Sequence, residues 1–410
     1  MKKIIFTIIL FMYIFSFKLP LINSTFYAAV ISSVFLIFST KNINLVAVKI
    51  AVNKFSMYII YPLSLFTVIA ACISLLHASS DLSYSFSLLK VVLYAVSFIP
   101  IVILYYAWLG HGNNDISKIV YNVFFIQSLI IISCLINPML REFVGYFQFE
   151  DAVAVSERYN GIRGLALAGP QFFALACSYI FVFIFIAHDF VHGKLSLKYV
   201  SITIPIMLLA TFSIGRTALL GAVVYFLIAV TSKINKLAIN IKVIKSLFIY
   251  LFLFGVGILY VMFNPALSEL LFNNLIPFAF EFIIKYLDTG TASTTSTDIL
   301  QNMYFPISDY TFLLGDGMYS AVNGVGYYMG TDAGYMRPIL FGGVFFFLML
   351  AMHWLFSFCY GLGVIYGRYI SFIILVVTLI LQYKGEVIAV QPTIIATLLP
   401  FLLLARKGPK

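Results

Sequence analysis

The stretch "LLATFSIGRTALLGAVVYF" (residues 208–226) decides how this chain is read. Arg216 is the one formally charged residue between Lys198 and Lys233, and everything around it is apolar or small. Lys194 and Lys198 precede the stretch; Lys233, Lys236, Lys242 and Lys245 follow it. Lysine clusters mark the cytoplasmic ends of membrane segments, so both flanks belong on one side of a bilayer. The segment must therefore enter and return. "SIGRT" is the predicted turn, with Gly215 supplying dihedrals that other residues avoid. Each arm then has about 14–15 residues, roughly 21–23 Å of helix against a ~30 Å hydrocarbon core. Arg216 is expected below the outer surface, at membrane depth. A charge there costs at least a few kcal/mol unless it meets water or a counter-ion. Two readings follow: an arginine that snorkels to the headgroups, or one that lines an outward-open cavity.

The rest of the chain has the same character. Its 410 residues are 62% hydrophobic and 10% charged, with a mean hydropathy of +1.05. A soluble domain is about 45–50% apolar and about 25% charged, so soluble-domain reasoning does not apply. Apolar runs fall near 4–19, 25–40, 55–76, 86–109, 119–137, 171–187, 199–212, 217–232, 246–263, 338–358, 370–383 and 391–405. They are too long and too continuously apolar for barrel strands. The expected fold is an all-α polytopic integral membrane protein of about 12 transmembrane helices, forming one membrane domain over 1–410. The opening "MKKIIFTIILFMYIF" is read as a first helix rather than a signal peptide, because no small-x-small site follows it. The net charge of +10 comes from lysines that punctuate apolar runs, so no nucleic-acid partner is implied. Cys72, Cys134, Cys177 and Cys359 all lie in apolar segments without a CxxC pair and are read as small buried hydrophobes.

With the N-terminus in the cytoplasm, sixteen of the 25 Lys and Arg residues fall inside and eight outside, the positive-inside pattern. Both termini are then cytoplasmic. Of the fifteen acidic residues only Asp115 and Asp189 fall inside, so carboxylate chemistry is expected at the outer face. Two outer loops are long, 138–170 and 264–337, and long loops carry function or disorder. Both are rich in Tyr, Phe and Gly. The tract "TGTASTTSTD" (289–298) is expected to be mobile.

Three helices that run inward from the outer face start beside an arginine. Arg216 opens one; Arg163 precedes "GLALAGPQFF"; Arg337 directly precedes Pro338. A cation at a helix N-terminus opposes the dipole, by a few tenths of a kcal/mol. Three such placements suggest that a shared anion supplies the compensation. Helix N-termini and arginine forks both suit phosphate. An outer-facing phosphate or pyrophosphate site is therefore expected if the three helices are neighbours. Arg158 belongs to the same loop as Arg163. The outer carboxylates Asp332, Asp316 and Glu157 lie in the same two loops, Asp332 five residues before Arg337 in "TDAGYMR". The glycines of "GDGMYSAVNGVGYYMG" are read as turns, since no strand precedes them and no GK[ST] follows. Tyr319, Tyr327, Tyr328 and Tyr335 are read as packing or an interfacial belt, with stacking on sugars as the alternative. No HExxH, Cys/His cluster or paired-acid spacing suggests a metal.

The loop "ERYNGIRGLALAGP", the hairpin "SIGRTALLG" and the loop end "LLGDGMY…GTDAGYMRPILFGG", in this order over about 119–358, resemble the bacterial O-antigen polymerases and, more distantly, the O-antigen ligases. The likeness lies in order, spacing and architecture rather than in any one string. It implies a glycosyltransferase of lipopolysaccharide biosynthesis in the Gram-negative inner membrane. Such an enzyme joins undecaprenyl-pyrophosphate-linked repeat units at the periplasmic face and releases undecaprenyl pyrophosphate, with no cofactor. It further implies lipid-linked donor and acceptor glycans, membrane lipid and a chain-length regulator as partners. Arg163, Arg216, Arg337 and Arg158, with Gly169 and Tyr335 beside them, would hold the pyrophosphate end of the substrate, and Asp332, Asp316 or Glu157 would be the general base for the acceptor hydroxyl, Asp332 first, with a loop turn or ion-pair partner as its alternative reading. A ligase is expected to carry a histidine in the second large loop; the five histidines here, His77, His111, His188, His192 and His353, all lie elsewhere. A lipid-linked-oligosaccharide flippase is the rival from another class, disfavoured by the two long outer loops and the absence of an internal repeat.

Overall fold

The computed structural model describes residues 1–38, 45–110, 116–150, 153–154, 162–231, 276–279, 281–291, 293–321 and 326–403, with isolated positions between 245 and 272. The expected span 246–263 lies outside these residues except for scattered positions, as do Glu157 and Arg158. The described chain is helical throughout, and its one extended pairing is an isolated bridge between Ser320 and Tyr327.

In chain order the helices are α1 (Lys2–Phe15), α2 (Ser24–Ile37), α3 (Leu45–Phe55), α4 (Tyr61–Leu76), α5 (Ser83–Trp108), α6 (Ile116–Ile136), α7 (Pro138–Gly145), α8 (Phe173–Val191), α9 (Leu197–Ile214), α10 (Leu219–Thr231), α11 (Glu281–Thr289), α12 (Thr295–Asn302), α13 (Asp309–Leu314), α14 (Met336–Trp354), α15 (Gly361–Tyr366), α16 (Arg368–Lys384) and α17 (Pro392–Leu403). Wide π-helical turns, Ser56–Ile60 and Leu355–Tyr360, join α3 to α4 and α14 to α15. Among the described residues six continuous helices are long and apolar enough to cross a membrane: Val48–Leu76, Ser83–Trp108, Ile116–Ile136, Phe173–Val191, Leu197–Ile214 and Met336–Tyr366. α1, α2, α16 and α17, each expected to be a span, have 14, 14, 17 and 12 residues, below the roughly 20 that cross a hydrocarbon core untilted.

The chain divides into two compact units. The first comprises Met1–Ile9, Thr25–Ile116 and Ser293–Lys410; the second comprises Leu10–Ser24 and Ser117–Ala292. In the second, α8 is almost wholly apolar up to His188 and Asp189 near its end and is buried from Ala174 to Val191, the behaviour of a helix that is surrounded rather than amphipathic. α9 and α10 pack against it. Gly221 permits the close approach of α10: a Cβ there would stand 2.5 Å from the Phe183 ring and 3.1 Å from the Cα of Ile180.

The expected break at "SIGRT" is present. α9 ends at Ile214, Gly215 takes φ 156° and ψ 152°, and a short 3₁₀ turn, Arg216–Ala218, leads into α10. The two arms are not the equal short ones expected: α9 has 18 residues and is itself long and apolar enough to cross a membrane, whereas α10 has 13.

In the first unit α14 carries an internal break. Gly343 has φ 73° and ψ 177° inside a run of otherwise helical residues. The carbonyls released upstream of the break are taken by another segment: Asp316 N–H donates to Leu340 O at 2.7 Å and Gly317 N–H to Phe341 O at 2.9 Å. Backbone groups freed within an apolar region must find such partners in the protein. The Gly-rich segment expected to form turns does so, with positive φ at Gly315, Gly317, Gly326 and Gly330. The Thr/Ser tract expected to be mobile instead holds the start of α12, where Thr294 and Thr297 form a reciprocal capping box. Of the four cysteines Cys134, Cys177 and Cys359 are buried as expected; Cys72 is exposed on α4.

Candidate functional site

Three connections that the charge pattern assigns to the outer face meet in the first unit: the α4–α5 loop, the segment 315–337 and the α16–α17 turn. Their centre is Arg337. Its guanidinium carbon lies 3.8 Å from the centroid of the Tyr319 ring and 4.1 Å from that of Tyr327, so the cation has an aromatic ring at contact distance from each tyrosine. Nη1 donates to Glu386 Oε2 at 2.9 Å, and the side chain is 11% exposed. Its Nε–H has no acceptor among the described residues.

Glu386 is buried and accepts two further bonds, from Tyr319 OH at 2.6 Å and Tyr84 OH at 3.2 Å. Burial pushes its carboxyl above the ordinary range, against the opposing pull of Arg337 and the two phenols. Burial and the facing carboxylate push the Tyr319 phenol well up. Tyr84 stacks on Phe341 at 4.6 Å and 12°, which ties α5 to the broken helix. Asp81 fixes the loop backbone by accepting from Tyr319 N–H at 2.7 Å and Ser320 N–H at 2.6 Å. Burial acts to raise its carboxyl, but the Ser320, Ser83 and Tyr319 donors together hold it below the usual carboxylate value. On the opposite side Gln382 closes the α16–α17 turn: its Oε1 accepts from the N–H groups of Val387 and Ile388 at 2.8 and 3.0 Å, and its Nε2 donates to Gly334 O at 2.5 Å.

Asp332 is half-buried just upstream of Arg337. Burial raises its carboxyl above the ordinary value, with Arg337 and Lys384 acting in the other direction. It is therefore a carboxyl that takes and gives a proton nearer neutrality than a solvated aspartate, within the field of the clamped arginine. The arrangement supplies a fixed cation with a free N–H, aromatic faces, and a proton acceptor. Those are the parts required to hold an anionic group and move a proton beside it.

The other expected site residues are placed differently. Asp316 is occupied: Thr311 Oγ1 donates to its Oδ1 at 2.9 Å and Tyr328 OH to its Oδ2 at 3.3 Å, while its own N–H plugs the helix break. Tyr335 OH donates to Leu379 O at 2.8 Å, which fastens the start of α14 to α16. Tyr319 and Tyr327, read from sequence as packing or a belt, are the two faces around Arg337.

In the second unit Arg163 and the hairpin turn come together. Arg163 Nη2 donates to Ile214 O at 3.4 Å, and its guanidinium lies 4.9 Å from the Phe172 ring centroid. The loop carrying it is held by two glutamines. Gln148 Nε2 donates to the carbonyls of Gly164 and Ala166, and Gln171 Nε2 to those of Ala166 and Ala168. Gly169 is a packing position: its N–H donates to Phe15 O at 2.8 Å, and a Cβ would stand 2.5 Å from Ser16 O. Arg216 is ion-paired with Glu281 of α11. The expectation that one shared anion offsets all three arginines is thus corrected for two of them. Glu281 and Glu386, neither of them anticipated, supply carboxylate counter-ions to Arg216 and Arg337. Asp81 and Tyr84 were likewise missed. All four are remote in sequence from their partners and carry no local motif.

These features define an all-helical, membrane-embedded protein with a buried ionic and aromatic site in its first unit. No family model matches the chain, and neither a curated protein nor a solved structure is similar to it.

Proposed function

We propose that the protein is a polysaccharide polymerase of the O-antigen type, a glycosyltransferase of the Gram-negative inner membrane that works at the periplasmic face. It transfers a growing glycan from its undecaprenyl pyrophosphate carrier to a newly delivered lipid-linked repeat unit, and it works in concert with a chain-length regulator. One observation carries the reading: Arg337, flanked by Tyr319 and Tyr327, lies in the field of Asp332, whose carboxyl is raised by burial. In this reaction the glycosyl bond to the pyrophosphate breaks as the acceptor hydroxyl attacks. Arg337 offsets charge developing on the leaving pyrophosphate. Asp332 accepts the hydroxyl proton as the new glycosidic bond forms. The tyrosine rings present flat faces beside which a sugar ring can stack.

Purified protein supplied with a defined lipid-linked repeat unit should make a ladder of longer lipid-linked glycans without added nucleotide sugar. An Arg337→Ala variant should make none. Transfer of the substrate across a vesicle membrane without chain growth would instead support the flippase, and transfer to lipid A core would support the ligase.

A further inference from the structure

The first unit holds an arginine whose charge is already neutralised, and that raises the question of how it could receive an anion. Glu386 occupies one edge of the guanidinium at Nη1, while Nε–H is left without an acceptor among the described residues. A dianionic group arriving at Arg337 would meet the Glu386 carboxylate at hydrogen-bonding distance of the same cation. Two anions sharing one buried cation repel strongly in a site of low polarity.

We propose that Glu386 is a displaceable internal counter-ion: a phosphate or pyrophosphate group takes its place on Arg337, and Glu386 takes up one proton from solvent as it is released. The inference rests on the reading of Arg337 as the anion site and adds to it a proton inventory. The balance is simple. One proton moves from solution to the Glu386 carboxylate; no covalent bond other than that O–H forms or breaks. The site holds one cation and one compensating anion before and after.

The surroundings of Glu386 favour this outcome. From α14 it faces Arg337, from the 315–337 segment Tyr319, and from α5 Tyr84. Tyr327 stands on the arginine, Lys384 lies two residues before Glu386 in the chain, Asp332 faces Arg337 and Lys384, and Asp81 holds the Tyr319 backbone. Arg337 is the one cation bonded to Glu386 among the described residues. Once it is withdrawn, what faces the carboxylate is two phenol hydroxyls, those of Tyr84 and Tyr319. Tyr84 and Tyr319 can remain hydrogen-bonded to a protonated carboxyl, so the released Glu386 keeps its partners. While the site is empty the same pair keeps Arg337 from standing as an uncompensated charge at membrane depth.

The test is calorimetric binding of farnesyl pyrophosphate to the full chain in detergent, in two buffers of different ionisation enthalpy, for the wild type and for Glu386→Gln. Protonation of the ligand is common to both proteins, so the difference between them reports Glu386. The wild type should take up close to one more proton per ligand than Glu386→Gln. The variant should bind about tenfold tighter or more at pH 8, since one linked proton changes affinity by about tenfold per pH unit. Tyr84→Phe gives a milder second readout: it removes one donor to the carboxylate, so it should take up a smaller fraction of a proton and bind more tightly than wild type. Equal proton uptake in wild type and Glu386→Gln, or weaker binding by both variants, overturns the exchange and leaves Glu386 a fixed partner. Unchanged binding by Arg337→Ala, or no binding by the wild type, overturns the anion site itself.

Discussion

Arg337 and Glu386 form a 2.9 Å ion pair in which one side chain is 11% and the other 1% exposed, and this pair joins the start of α14 to the α16–α17 turn. A pair so enclosed contributes little net stability compared with an apolar pair of the same volume, but removing one partner alone strands a buried charge. Arg337→Ala should therefore destabilise the protein by about 3–5 kcal/mol as well as abolish chain growth. The double variant Arg337→Gln, Glu386→Gln should regain most of the lost thermal stability while remaining inactive. Detergent thermal-shift measurements beside a polymerisation assay separate the two effects. Recovery of chain growth in the double variant would show that Arg337 serves packing alone.

Asp332 differs from Asp316 although both precede α14 in one loop. Asp316 accepts two hydroxyl bonds and its N–H closes the broken helix; Asp332 has a carboxyl raised by burial. If Asp332 is the base it must be ionised to act. Because its value lies above the ordinary 3.8, the acid limb of the rate should sit at correspondingly higher pH than a solvated aspartate would give. Asp332→Asn should lower the rate by about 10²–10⁴ and remove that limb. Asp316→Asn should act through stability, with the pH profile kept. A retained acid limb in Asp332→Asn would reassign the base.

Much of the fold was legible before any coordinates. The all-helical, apolar character followed from composition, and Gly215 is where the apolar run through Arg216 breaks into two helices. Arg216 and Arg337 stand at element starts as expected and were visible because charge in an apolar run has few explanations, whereas Arg163 lies ten residues before α8 begins rather than at its start. The counter-ions of the first two were not visible. Glu281 and Glu386 reach Arg216 and Arg337 through tertiary packing, and nothing near either acid in sequence marks it as a partner. The break at Gly343 was hidden as well. "FGGVFFF" reads as ordinary span, and the helix opens there because the 313–317 segment supplies donors to carbonyls of α14. Helix ends also shifted: α14 and α15 run on through a π-helical turn to Tyr366, since no breaker in "HWLFSFCYGLG" is strong enough to stop a helix already packed.

Asp81 links acidity to the integrity of the site. Its carboxyl is held below 3.8 in the folded protein, with the N–H groups of Ser320, Ser83 and Tyr319 outweighing the effect of burial. The sign follows from proton counting. Below the unfolded value the unfolded chain binds the proton more readily, so the stabilisation is complete above 3.8 and is lost as pH falls through the folded value. Unfolding temperature measured from pH 6 down to pH 3 should drop less steeply in Asp81→Asn than in wild type, from a lower starting point. Parallel curves would mean that Asp81 carries no such linkage.

Arg216 is the residue on which two roles compete, and a charge swap divides them. It is ion-paired with Glu281, both side chains being mostly enclosed at 19% and 27% exposure. A pair in that position lies between an exposed bridge, worth about 0–1 kcal/mol, and a buried one whose rupture costs about 3–5 kcal/mol. Glu281→Ala should fall within that interval, and Arg216→Ala similarly. In Arg216→Glu, Glu281→Arg the attraction is restored with its polarity reversed, so thermal stability should recover at least in part. If Arg216 also meets an anionic substrate, chain growth should stay absent in the swapped protein, because a carboxylate now stands where the cation was. Recovery of both stability and full chain length would leave Arg216 as a structural partner of Glu281. In that case Arg163, which reaches the same turn through Ile214 O, is the next arginine to test by the same assay.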